Sequence, residues 1–135
     1  MIPRLRPAFG AAELAAALRP GGPDDVEGFE REFAARFGAA EAVAFPYGRS
    51  ALWAFLQAVG LHDAEVIAPS YTCVVVQHAM VLSGNVPRFV DNTLADYNMD
   101  LDQVAAAINE RTGAIVATHL FGFPLDLDRF GAIVR

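Results

Sequence analysis

Short apolar runs alternate along this chain with amphipathic stretches of about ten residues, and this alternation constrains the fold more than any other feature. Strands separated by helices of that length form right-handed βαβ crossovers, so the sheet they build is largely parallel. The predicted strands are 41–45, 65–68, 86–90 and 114–118. The predicted helices are 11–18, 24–37, 50–59, 73–82, 101–109 and 126–134. The sequence therefore predicts an α/β fold of three layers, α-β-α, with a mostly parallel sheet.

Two parts of different character are predicted within the chain. Residues 1–23 form an N-terminal arm, extended over 1–9 where prolines and arginines are interspersed, and a short Ala-rich helix that ends at the Pro-Gly-Gly-Pro sequence of 20–23. Residues 24–135 carry the alternating strands and helices. Because the chain reaches Arg135 in or just after a helix, without a closing strand, we expect an incomplete domain.

Helix boundaries and helix faces can also be predicted. Gly38 is expected to end the second helix, and Asp100 is a suitable N-cap for the helix that follows it. The rings of Phe29, Phe33 and Phe37 recur one turn apart, so they share one face of the second helix. We expect these rings to pack and not to contact a ligand.

Composition narrows the classes of function. Hydrophobic residues make up 54% of the chain, which suits a sheet covered by helices on both faces. The net charge of -6 comes without a cluster of arginines, which argues against nucleic-acid binding and gives no attraction to anionic membranes. The sequence has neither a run of the roughly 20 apolar residues of a membrane helix nor the apolar core of a signal peptide. With Cys73 as its single cysteine it forms no internal disulfide, and we predict a cytoplasmic location.

A candidate anion site follows the predicted strand 41–45. There the sequence turns through Gly48 into a helix, whose first amides have no internal partner and carry the positive end of the helix dipole. Arg49 and the Ser50 hydroxyl can add a charge and a donor, so a phosphate group is the expected ligand. The same strand-Gly-helix turn occurs in every α/β protein, so a purely structural role is an equal alternative.

Three further loops follow predicted strands. In parallel sheets ligands gather at the carboxyl ends of strands, where these loops are 69–73, 91–92 and 119–122. Each has a structural alternative: capping hydroxyls in the first, a turn-forming Asp91 in the second, and in the third a His119 satisfied by a backbone carbonyl. Their common location is what predicts a site, and no metal site is predicted.

All ten basic residues are arginines, so the chain contains no lysine. Chemistry that requires a lysine amine, including the usual Schiff-base attachment of a pyridoxal cofactor, cannot be completed by this chain alone. We therefore predict no catalytic residue within it.

Six motifs occur in the order and spacing of the DegT-type sugar aminotransferases, which the chain resembles over nearly its whole length. These motifs are FEREFA (29–34), GRSAL (48–52), EVIAPSYT (65–72), PRFVD (87–91), RTGAI (111–115) and HLFG (119–122). The resemblance implies a fold-type-I enzyme dependent on pyridoxal 5'-phosphate. It covers only the N-terminal part of the large, cofactor-binding domain.

The resemblance also implies cofactor-binding residues. Gly48, Arg49 and Ser50 match a Gly-Thr-Ser turn that holds the cofactor phosphate, with Arg49 in place of the threonine. Cys73 falls where the family usually has an aromatic ring stacked on the pyridine, and a thiol supplies less stacking area. Tyr71 can compensate, and Thr72 completes this second group. The acidic partner of the pyridine nitrogen and the Schiff-base lysine have no counterpart in the chain.

For a complete protein the resemblance implies transamination. An amino-acid donor would load the cofactor, which would then aminate a keto group on a nucleotide-linked sugar, and the enzyme would be a homodimer. Two alternatives remain open: a non-catalytic module that binds a phosphorylated ligand or a partner, and part of a lysine-less sugar dehydratase of the same family. An unrelated doubly wound binding domain is a third.

Overall fold

The computed structural model describes residues 10–135 and divides into two compact units, which meet in the sequence between Ala44 and Phe45. The extended arm predicted for residues 1–9 lies outside the described residues. The boundary after residue 23 stays a prediction. Within the described range no helix combines the length and the apolar character needed to cross a membrane.

The first unit contains two helices, α1 (Ala11–Ala17) and α2 (Asp25–Phe37). Acidic side chains occupy the first turn of α2, where they interact favourably with the helix dipole. The helix ends at Gly38, whose φ of 65° lies in the left-handed region that glycine adopts without strain. The predicted end of this helix is therefore confirmed.

The aromatic face of α2 is less covered than its spacing predicts. The rings of Phe29, Phe33 and Phe37 contact one another, with successive centroids 5.8 Å and 4.6 Å apart. Their exposed fractions are nevertheless 59%, 46% and 68%. The expected packing is thus limited to contacts among the rings, because Ala34 is the one α2 side chain that is buried.

The strand predicted at 41–45 is not formed, and this prediction was wrong. The backbone N–H of Ala44 donates instead to the Glu30 carboxylate, at 2.6 Å. An extended segment becomes a strand only when a neighbouring strand shares its hydrogen bonds, and residues 10–135 supply no such neighbour here. The sequence pattern shows that a segment is suited to a sheet but not whether a partner is present.

The second unit is built on a parallel sheet of three strands, β1 (Glu65–Pro69), β2 (Val86–Val90) and β3 (Thr112–Ile115), in the order β2-β1-β3. β1 and β2 match their predicted positions, whereas β3 starts and ends earlier than predicted. Beyond β3 one more bond continues the pairing, from the N–H of Val116 to the carbonyl of Ile67 at 2.8 Å. The predicted α/β fold with a parallel sheet is confirmed.

Four helices flank this sheet and lie within two residues of their predicted limits: α3 (Gly48–Ala58), α4 (Val74–Leu82), α5 (Leu101–Ala107) and α6 (Leu127–Ile133). A 3₁₀ turn, Leu120–Gly122, precedes α6. Asp100 caps α5 as predicted, since its carboxylate accepts the N–H of Asp102 at 2.9 Å and that of Gln103 at 3.3 Å.

Side chains of β1 point alternately to two separate cores. Val66 and Ala68 pack with residues of α3 and α4 on one face, and Ile67 packs with residues of α5 and α6 on the other. All three are fully buried. This arrangement gives the helix-sheet-helix layering and places the starts of α3 and α4 on the same side of the sheet.

Candidate functional site

Helix α3 begins with two backbone amides that have no internal acceptor. The N–H of Ser50 donates to the carbonyl of Tyr47 at 3.0 Å, whereas those of Gly48 and Arg49 find no acceptor within residues 45–135. A Cβ built on Gly48 would meet no atom of residues 10–135 within 4 Å, apart from its chain neighbours and its own helix backbone. The absence of a side chain therefore leaves room for an anion to approach both amides closely.

Arg49 adds a cation beside this helix start. Its guanidinium carbon lies 5.1 Å from the ring centroid of Tyr47, a cation–π contact, and it pairs with no carboxylate within residues 45–135. Arg49, Ser50 and Trp53 line a pocket of about 470 Å³ together with Ala79 and Leu82 of α4. The first group of predicted site residues thus combines free amides, a hydroxyl and an unpaired cation, a set that suits a phosphate group.

The second predicted group lies in the loop between β1 and α4. Here Tyr71 is bound through its backbone to the side chain of Asn92, which accepts its N–H at 2.9 Å and donates to its carbonyl at 3.3 Å. Ser70 reaches the neighbouring loop as well, since its hydroxyl donates to the Asp91 carboxylate at 3.4 Å. The tertiary structure therefore joins two of the predicted loops, 69–73 and 91–92.

Thr72 and Cys73 complete this loop. Cys73 is the residue before α4, it makes no side-chain cap there, and its thiol is exposed. Helices α3 and α4 pack against each other, with Trp53 Nε1 donating to the carbonyl of Leu82 at 3.3 Å and Gln57 Nε2 to that of Ser83 at 3.5 Å. The first predicted group therefore begins α3 and the second precedes α4, two helices that pack together. The described residues that line the pocket beside Arg49 and Ser50 include none of the second group.

His119 is held by a backbone group, although not the one expected. Its Nδ1 accepts the N–H of Leu125 at 2.9 Å, so the partner is an amide and not a carbonyl. Because Nδ1 acts as the acceptor, a neutral imidazole carries its proton on Nε2. The histidine closes the loop between β3 and α6, and this contact leaves Nε2 available.

Asn98 organises the same region and was missed by sequence reasoning. It is fully buried, and its Nδ2 donates to Asp96 Oδ2 at 3.0 Å and to the carbonyls of Phe123 and Pro124 at 3.3 and 3.2 Å. Its Oδ1 accepts the N–H of Leu120 at 3.3 Å. No local signal marks this residue, because its four partners come from two loops more than twenty residues apart in the sequence.

Asp96 is the acidic member of this network. The Thr93 hydroxyl donates to its carboxylate, and so do the amide groups of Asn98. These hydrogen bonds favour the ionised form and hold the pKa of Asp96 below its ordinary value, with the bond from Thr93 the largest cause. The loop that follows β2 therefore keeps a negative charge at neutral pH.

Comparison with known proteins identifies a family and relatives of the chain. The sequence profile of the DegT/DnrJ/EryC1/StrS aminotransferase family matches residues 14–135. The chain is 42% identical over 113 residues to 3-amino-5-hydroxybenzoate synthase of Amycolatopsis mediterranei. The matched segment covers 83% of this chain and 29% of that protein. It is 41% identical over 103 residues to dTDP-3-amino-3,4,6-trideoxy-alpha-D-glucose transaminase of Micromonospora megalomicea. Here the matched segment covers 76% of this chain and 28% of the relative.

Solved structures show the same fold. The aminotransferase from Psychrobacter cryohalolentis superposes with a TM-score of 0.82 at 30% identity, over 95% of this chain and 35% of that one. The chain thus spans just under a third of the curated relatives it matches. Pyridoxal phosphate is the cofactor of the family. The match over residues 14–135 and the shared fold lead to one conclusion: the chain belongs to the DegT/DnrJ/EryC1/StrS aminotransferase family.

Proposed function

We propose that this chain is the phosphate-holding part of a pyridoxal-phosphate-dependent aminotransferase that aminates a keto group of a nucleotide-linked sugar. The observation that carries the proposal is the start of α3, where the free amides of Gly48 and Arg49 adjoin open space. Relatives named as sugar transaminases support the sugar as substrate.

Two groups of residues would hold the cofactor. The amides of Gly48 and Arg49, the Ser50 hydroxyl and the Arg49 guanidinium would bind its phosphate. Tyr71, Thr72 and Cys73 would lie against its ring, with the exposed Cys73 thiol offering a small contact area. When bound, pyridoxal phosphate would supply a carbonyl carbon that takes the amino group from the donor and gives it to the acceptor, and a ring that withdraws electrons during the exchange.

The lysine that transfers the proton would have to belong to further polypeptide, because this chain contains no lysine. Large apolar side chains of α3 support this, since Trp53 and Phe55 remain 43% and 61% exposed. We propose that further polypeptide covers them in a homodimeric, cytoplasmic enzyme that takes its amino group from an amino acid. The two groups of residues in this chain would then position the cofactor, and the proton-transferring lysine would belong to the further polypeptide.

A second candidate substrate is a six-membered carbocycle. The relative that is 42% identical is named for 3-amino-5-hydroxybenzoate, which is not a sugar. Both candidates contain a six-membered ring that receives an amino group, and the proposed phosphate site would hold the cofactor and not this ring, so the same site would serve either.

The phosphate site can be tested on the 135-residue chain with pyridoxamine 5'-phosphate, which forms no imine with the N-terminal amine. Titration followed by ³¹P NMR should show saturable binding. Gly48→Ala should weaken it about tenfold, because the methyl group occupies the space that the phosphate needs. Gly131→Ala is the matched control. It lies in α6, and a Cβ there likewise has open space around it within the part of the chain that the structure describes.

The two variants make the result decisive. Neither substitution creates a clash, so both should fold as the unsubstituted chain does. Binding that is equal in the two variants, or absent from the unsubstituted chain, would refute the assignment of the phosphate to the start of α3.

A further inference from the structure

Three exposed aromatic rings meet at the carboxyl end of the sheet, in loops that follow all three strands. The ring of Phe121 lies 6.4 Å from that of Tyr71 and 5.9 Å from that of Tyr97, the latter edge-on at 86°. The exposed fractions of Tyr71, Tyr97 and Phe121 are 59%, 45% and 63%. We call these three residues the aromatic surface.

Two asparagine side chains hold the loops of the aromatic surface together. Asn92 binds both backbone groups of Tyr71 and also donates to the carbonyl of Tyr97, at 2.7 Å. Asn98, next to Tyr97, accepts the N–H of Leu120, the residue before Phe121. Asparagine side chains thus fix the backbones of Tyr71, Tyr97 and Leu120, and these backbones bring the three ring-bearing loops together.

The backbone under two of the rings is strained. Tyr97 and Phe121 have φ values of 62° and 55°, in the left-handed region that bulky side chains rarely adopt. Within residues 10–135, Asp63 is the one other non-glycine residue there, and aspartate tolerates this conformation. Glycine would remove the strain at 97 and 121, and strain of this kind clusters at functional sites.

The chemistry around the rings specifies the ligand. The hydrogen bonds of Tyr71 and Tyr97 to residues 45–135 are all made by their backbones, so both phenol hydroxyls remain available. Among residues 45–135, the charged side chains bonded to these loops are the carboxylates of Asp91 and Asp96, which disfavour an anion. Apolar ring faces bordered by hydroxyl groups, beside negative charge, suit a neutral ring that has an apolar C–H face and hydroxyl substituents.

We propose that Tyr71, Tyr97 and Phe121 bind the six-membered ring of the substrate, the hexose of a nucleotide-linked sugar, through its apolar C–H face. The inference rests on the proposed function and deepens it by assigning the sugar to the aromatic surface, apart from the phosphate site at the start of α3. Tyr71 belongs to both descriptions, because it precedes Thr72 and Cys73 of the cofactor group.

Saturation-transfer NMR on the 135-residue chain with dTDP-glucose tests the proposal. Saturating the protein should transfer most magnetisation to the hexose C–H protons and less to the thymine and ribose protons. Phe121→Gly should reduce the hexose transfer about tenfold, the loss expected for one stacked ring. Asp63→Gly is the matched control, because it also replaces a left-handed residue by glycine but lies outside the aromatic surface, and it should leave the transfer unchanged.

A second variant guards against misfolding. Tyr97→Asn removes the ring and introduces a residue that tolerates the left-handed backbone, so it should also reduce the hexose transfer. Transfer that is absent in the unsubstituted chain, strongest at thymine, or unchanged in Phe121→Gly or Tyr97→Asn would overturn the proposal.

The pyridoxamine 5'-phosphate titration separates this inference from the proposed function. Saturable phosphate binding that persists in Phe121→Gly while the hexose transfer falls would support both. Phosphate binding without hexose transfer would overturn the aromatic surface alone. The chain could also fail to bind the phosphate and still show hexose transfer that is lost in Phe121→Gly. This result would support the aromatic surface and refute the proposed cofactor site.

Discussion

Replacing Gly113 by alanine should destabilise the fold, because β3 approaches the segment before β1 too closely for a side chain. The new Cβ would collide with Leu61 Cδ1 and would lie 2.8 Å from Ala64 Cβ. Carbon atoms pack best at about 3.5–4.0 Å, so both contacts are overlaps. The Leu61 tip can rotate away, but Ala64 Cβ is attached directly to the backbone that enters β1, so the strands must separate there.

Overpacking of this kind costs about 1–3 kcal/mol, and the rigid contact with Ala64 places Gly113→Ala near the upper end. For a chain of 135 residues a loss of about 2–3 kcal/mol lowers the thermal midpoint by roughly 10 °C. Urea unfolding followed by circular dichroism would measure the change directly, as a shift of the midpoint at constant slope.

The same substitution at Gly131 should have the opposite sign. A Cβ there lies inside α6 and meets no side chain or other segment of the described residues within 4 Å. Gly131→Ala should therefore stabilise the fold by up to about 1 kcal/mol through helix propensity. A second test combines Gly113→Ala with Leu61→Ala, which removes one overlap, so the double variant should lose less than the sum of the singles. If Gly113→Ala changes the free energy of unfolding by less than about 0.5 kcal/mol, the reasoning from close approach is refuted.

Other predictions concern polar groups. Asn98→Leu should cost about 3 kcal/mol in the free energy of unfolding, because it leaves the amide of Leu120 and two carbonyls without their partner; a loss below about 1 kcal/mol would contradict this. Asp100→Ala should cost about 1 kcal/mol through loss of the α5 cap, whereas the exposed Asp102→Ala should cost less. Bonds from Asn109 first, and then from Arg88, lower the pKa of Glu65 below its ordinary 4.5. The ionised Glu65 therefore contributes to stability above pH 4.5, and this contribution is lost as the pH falls through the lowered pKa of the folded state. Below pH 4.5, acid titration of Glu65→Gln should therefore show a smaller loss of stability than that of the unsubstituted chain.

Much of the fold could be predicted because its signals are local. The order of helices and parallel strands from α3 to α6 follows from apolar period and loop composition, and Gly38 and Asp100 mark helix ends through their own backbone and side-chain preferences. The prediction of a strand at 41–45 failed, because a strand needs a hydrogen-bonding partner and the apolar pattern of the sequence does not show whether one is present. Burial of the α2 phenylalanines failed for the same reason, since a helical spacing shows which side chains share a face but not what covers that face.

The candidate site also has one part that could be predicted from the sequence and one part that could not. Gly48, Arg49 and Ser50 could be predicted as an anion site because a helix start has free amides wherever it occurs. The joining of Tyr71 to Tyr97 by Asn92, and of Tyr97 to Phe121 through Asn98, could not be predicted, because these residues lie in three separate loops.

The sequence by itself determined the α/β class, the family membership, the helix start that suits a phosphate and the lack of a lysine, since each depends on residue identity and short-range spacing. Only the tertiary structure decided which loops meet at the carboxyl end of the sheet and which backbones become left-handed there. The physical reason is that a bulky residue such as Phe121 adopts a strained conformation only when contacts from distant segments outweigh its local preference.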